Sequence, residues 1–143
     1  MDLAGYRASF DKLWGYTNVV RLGAEHLSDD GNIVLVSGAP ARRAKPGQAA
    51  IASVGGAVEQ FVRAVTAELA PKRINVVSPG VIDTPMFGND ADARAKMLGG
   101  ATAKNLIPRA GTPEEVAEGI MFVVKNDFVT GTTIDVDGGW ILS

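Results

Sequence analysis

Few side chains of this chain are equipped for chemistry, and they are scattered. There is one histidine, His26, and no cysteine, so thiol nucleophiles, disulfides and thiolate metal sites are excluded. A multi-histidine metal centre is likewise excluded, and no metal site is expected. Lys12 and Tyr16 lie one helical turn apart, and a lysine shifts its pKa readily when buried. Tyr16 either reaches a cleft or packs as an aromatic beside Trp14. Ser37 and Ser53 are expected to satisfy backbone groups, and His26 to face the C-terminal dipole of a helix. Arg42, Arg43 and Lys45 crowd one short loop. They would either bind an anionic substrate or cofactor phosphate, or form a solvated charge run.

The elements that must position these residues follow from periodicity. The 143 residues are 46% apolar with a net charge of −2, which fits one soluble globular domain over 1–143 and points to no nucleic-acid partner. No apolar run approaches the ~20 residues of a membrane span, and the first residues carry no secretory pattern, so the expected location is cytoplasmic. Apolar spacings of three and four predict a helix over 5–27. Ile33–Val36 reads as a strand buried on both faces. After a loop over 39–47, a helix is predicted over 48–70 and stopped by Pro71. It contains Gly55-Gly56, which weakens a helix by ~1 kcal/mol per glycine. Such a pair marks close approach to a ligand or to a second helix across a dimer, or it marks drift. Ile74–Val77 is a second buried strand. Residues 81–111 form a long lid-like excursion with helical patterning over 91–98 and a flexible Gly99-Gly100 behind it. Thr112, Pro113 and Glu115 make a helix start with a capping box, and 132–136 is the last strand. The alternation predicts an α/β fold with a parallel sheet, about three strands and three long helices plus the lid.

Four stretches resemble the short-chain dehydrogenase/reductase family. Gly31-Asn32-Ile33-Val34-Leu35-Val36-Ser37 resembles the strand that delivers its catalytic serine, and Ala67 through Gly80 resembles the next helix-strand junction. Val81-Ile82-Asp83-Thr84-Pro85-Met86 is similar to its cofactor-contacting loop. Thr130 through Gly139 resembles its closing signature. The ordered set implies a three-layer, Rossmann-like sheet, here only its C-terminal half. It implies an NAD(P)-dependent oxidoreductase moving hydride between a nicotinamide, NAD or NADP, and a small-molecule alcohol or carbonyl. A homo-oligomer is also implied, with no nucleic acid and no membrane as partner. A complete dinucleotide fold has six strands in two halves; three are predicted here, so the adenine, ribose and pyrophosphate subsites are expected to be mostly missing.

The resemblance places the family's serine, tyrosine and lysine at Gly38, Ile51 and Gly55, and its helix asparagine at Lys12. No Tyr-x-x-x-Lys occurs anywhere. General acid–base help is typically worth ~10²–10⁴-fold, so impaired catalysis is expected. Lys12 is the candidate stand-in. Pro79, Gly80, Ile82 and Thr84 match positions that hold the nicotinamide amide and a phosphate oxygen, or they form a turn kept for the fold. The alternatives are a non-catalytic oligomerisation or interaction module, and a truncated product of a full-length relative.

Overall fold

The computed structural model describes residues 2–143. In chain order the elements are α1 (Leu3–Ser9), α2 (Asp11–Gly23), β1 (Asn32–Val36), α3 (Ala49–Leu69), β2 (Arg73–Pro79), α4 (Ala91–Thr102), α5 (Pro113–Lys125) and β3 (Thr133–Val136). The three strands pair in parallel in the order β1-β2-β3, with Asn32 opposite Arg73 and Val76 opposite Thr133.

Side-chain alternation along β2 builds two cores. Ile74 and Val76 face α2 and α3, where Val20, Val58 and Val62 pack on them together with Leu35 of β1. On the opposite face Val77 lies under α5, close to Gly119. The result is three layers. Asn75, also on that face and fully buried, donates from Nδ2 to Val129 O at 3.0 Å and accepts from Thr132 N–H at 3.3 Å. It thereby anchors the turn into β3, as a buried amide must find partners. Arg73 closes the C-terminus of α5, donating to the carbonyls of Val123, Val124, Asn126 and Val129. Val123 and Val124 belong to the last turn of α5, whose carbonyls have no partner within the helix.

Three expectations change. The predicted 5–27 helix is two helices, because Phe10 N–H bonds the Arg7 carbonyl three residues back and Ser9 Oγ donates to Tyr6 O at 2.6 Å, tightening the turn between α1 and α2. β1 is not buried on both faces: only Leu35 is fully buried, because the strand order leaves β1 at the sheet edge, whereas Ile74–Ser78 of the central strand are all buried. The excursion over 81–111 is not loose. Its base is closed by Asp83 N–H to Gly111 O and Gly111 N–H to Val81 O, and α4 runs through Gly99 and Gly100 as regular helix.

Candidate active site

Parallel strands leave a crevice beyond their carboxyl ends, where connecting segments diverge. Here it is a cleft of about 840 Å³, lined by Ser37 and Gly38 after β1, by the Pro79–Ile82 turn after β2, by Ile51 from α3 and by Trp140 near the C-terminus. Thr84, Met86 and Phe87 form its lid side. The structure therefore brings together Gly38, Ile51, Pro79, Gly80, Ile82 and Thr84, all of them sequence candidates. Gly80 is demanded by close packing: a Cβ there would lie 2.7 Å from Asp137 Cα and 2.8 Å from its carbonyl oxygen. The turn is thus pressed against the end of β3.

Lys12 and Tyr16 do not line the cleft. Lys12 Nζ donates to Ser37 O at 3.2 Å, and Tyr16 Oη donates to Val36 O at 3.4 Å. The ladder explains the first contact. Ser37 N–H bonds Val77 O, so the parallel pattern would pair Ser37 O with the N–H of residue 79, which is proline and has none. The Lys12 ammonium supplies the missing donor. Burial holds this lysine below its ordinary range. Tyr16 also packs against the core, while Trp14 beside it is 61% exposed. His26 lies in the short 3₁₀ turn after α2, next to Glu25 at 3.5 Å.

Two of the three loop cations, Arg42 and Arg43, are committed to partners within the fold. Arg42 forms a bidentate pair with Asp135 and approaches the buried carboxylate of Glu59 at 3.5 Å. Arg43 donates to Trp140 O at 2.9 Å and to Ser143 Oγ at 3.2 Å. Lys45 Nζ stands 3.7 Å above the Trp140 ring. Arg42 and Arg43 fasten the loop to β3 and the C-terminal turn, while Lys45 rests on the Trp140 ring without an ion-pair partner among the described residues. Glu59, 3% exposed, is the residue that the sequence reading missed. It accepts from Ser37 Oγ at 2.9 Å and pairs with Arg63 at 3.4 Å. Ser37 thus serves a carboxylate rather than the backbone groups expected of it. The only sequence signal for Glu59 is a charge on the apolar stripe of α3.

A family model described as enoyl-(acyl carrier protein) reductase matches residues 3–141. A short-chain dehydrogenase/reductase of Stachybotrys chlorohalonatus is 39% identical over 111 residues, covering 78% of this chain. The chain belongs to the short-chain dehydrogenase/reductase family. A cyclopentanol dehydrogenase of a Comamonas species is 41% identical over 116 residues, 77% of this chain. The chain spans 44% and 45% of the length of these two relatives. A solved small-chain dehydrogenase in complex with NADPH superposes with a TM-score of 0.93 at 32% identity, covering all of this chain and 66% of that one. The aldohexose dehydrogenase of Thermoplasma acidophilum, ligand-free, gives 0.92 at 27% identity, with 62% of that chain covered.

Gly38 and Gly55 carry no side chain, and Ile51 offers only an aliphatic group. At Gly55 the close neighbour comes from the chain itself. A Cβ at Gly55 would sit 2.9 Å from Ala41 Cβ, because the 3₁₀ turn Ala39–Ala41 packs directly on α3. The chain's own loop occupies the space above residue 55. At Gly56 the nearest atom, Ala41 O, is at an ordinary 3.8 Å. For a nicotinamide dinucleotide the fit is partial. Residues of the Pro79–Thr84 turn line the cleft, but among the described residues no glycine-rich turn joins a strand to a helix to receive the pyrophosphate.

Proposed function

We propose that this chain is a short-chain dehydrogenase/reductase scaffold that retains the mouth of the family's cleft and lacks its acid–base chemistry. One observation supports the reading: of the positions that the family resemblance gives to the serine, tyrosine and lysine, Gly38 and Ile51 line the cleft without a proton-donating side chain, and at Gly55 Ala41 fills the space that a side chain would need. A bound nicotinamide would supply hydride; Pro79, Gly80, Ile82 and Thr84 are the residues that would hold its amide end. Ile51 and the bare backbone at Gly38 offer no proton to a carbonyl oxygen, so the ~10²–10⁴-fold contribution of such a group is lost. The phosphate end of a dinucleotide finds no cradle among the described residues. No helix among the described residues is long and apolar enough to cross a membrane.

The test is direct. Purified chain with NADH or NADPH and simple ketones or aldehydes is expected to give no absorbance loss at the reduced-nicotinamide band. Consumption above background that disappears in Lys12→Met or Thr84→Ala would falsify the reading.

A second reading, an interaction module, is favoured by the edge position of β1. The ladder to β2 uses alternate residues, which leaves the backbone groups of Asn32 and Val34 pointing away from the sheet. Trp14, Val19 and Leu22 of α2 are also exposed. Self-association through these surfaces is expected, and light scattering that gives a monomer at high concentration would exclude it.

A further inference from the structure

The cleft has a charge pattern of its own. No aspartate or glutamate lines it among the described residues, and its walls are mostly aliphatic or aromatic. Ile51 is 51% exposed and Met86 84% exposed, so the walls present apolar surface to water. Lys45 is the cation on its lining. Arg42 is neutralised by carboxylates and Arg43 is spent on Trp140 O and Ser143 Oγ, but Lys45 has no carboxylate within ion-pair distance among the described residues. Its ammonium rests on the Trp140 ring, a contact that leaves its other N–H groups free. Gln48, on the same lining, accepts the Lys45 backbone N–H through Oε1 at 2.8 Å, so its Nε2 remains a second donor.

An apolar body covering Ile51 and Met86 gains burial, and only an anionic end gains from Lys45. We infer that the cleft binds an amphipathic organic anion. Its single carboxylate or sulfonate head lies at Lys45 and Gln48, and its hydrocarbon body lies against Ile51, Met86 and Trp140. The volume suits a ligand of that size. This rests on the proposed absence of acid–base chemistry: the anion is held, not turned over.

Emission of Trp140 in a Trp14→Phe background reports on the cleft. Dodecanoate, dodecanol and dodecyltrimethylammonium are titrated separately below their micelle concentrations. Dodecanoate is expected to bind at least tenfold more tightly than the other two. Lys45→Gln removes the preference of dodecanoate over dodecanol. Ile51→Asp weakens dodecanoate at least tenfold with unchanged circular dichroism, since an acidic residue in the first turn of α3 suits the helix N-terminus. Equal affinity for dodecanoate and dodecanol overturns the inference, as does a folded chain that binds neither. Reduced-nicotinamide oxidation is followed in the same samples. Turnover there sinks the proposed function by itself, whereas loss of the dodecanoate preference without turnover sinks only the ligand class.

Discussion

Replacing Gly55 and Gly56 separately by alanine tests whether the 39–41 turn has closed over the reacting centre. In an unstrained helix either change is favourable by ~1 kcal/mol, since alanine is the better helix former. Gly56 has open space with Ala41 O at 3.8 Å, so Gly56→Ala is expected to stabilise by about 0.5–1 kcal/mol. At Gly55 the new methyl would meet Ala41 Cβ at 2.9 Å, well inside the ~3.5–4.0 Å of a relaxed carbon contact. Ala41 cannot yield cheaply. Its N–H bonds Gly38 O at 2.9 Å, and the next residue, Arg42, is tied to Asp135. Overpacking of this kind destabilises by ~1–3 kcal/mol, which exceeds the helix gain. Gly55→Ala is therefore expected to be neutral to destabilised by about 2 kcal/mol, and to lie ~1–3 kcal/mol below Gly56→Ala. For a chain of this length that separation is roughly 3–10 °C in Tm. Urea unfolding followed by circular dichroism measures it, with Ala41→Gly and the Ala41→Gly/Gly55→Ala double variant closing the cycle. The coupling between the two sites should be ~1–3 kcal/mol, with the double variant recovering the loss. If both glycine variants are stabilised alike, or the cycle shows no coupling, the turn does not fill the space above residue 55.

Two further outcomes follow from the packing and charge of the cleft's supports. Gly80→Ala should destabilise by about 2 kcal/mol or more, because the clash is with the backbone of Asp137 rather than with a movable side chain; a Tm equal to that of the parent would show that the Pro79–Thr84 turn is free to move. Glu115, hydrogen-bonded first by the Arg109 guanidinium and then by Thr112 N–H, is pulled down to about 2. A carboxylate whose pKa is depressed on folding adds stability above its unfolded value of ~4.3, and that stability is lost as pH falls through the folded value. Stability between pH ~4.5 and ~2 should thus fall less steeply in Glu115→Gln than in the parent, as read from urea midpoints across that range; identical slopes would refute the role of this pair.

The two glycines show how far the chain could be read without coordinates. The strand and helix periodicities, the Thr112–Glu115 capping box and the parallel α/β class are local properties: side-chain alternation, capping spacing and proline placement act over a few residues, and they were legible. The family resemblance likewise assigns the serine, tyrosine and lysine positions to Gly38, Ile51 and Gly55 by order along the chain. Nonlocal arrangement was not legible. That Ala41 lies against Gly55, that Arg42 reaches Asp135 ninety-three residues away, and that Glu59 is buried with Ser37 each depend on which segments meet at the ends of the strands. The same holds for Lys12, whose partner is a carbonyl left open because residue 79 has no N–H. Composition and spacing can name a chemical group, but its burial and its partner are set by contacts between distant parts of the chain, and those contacts decide whether a charge serves a ligand or the fold.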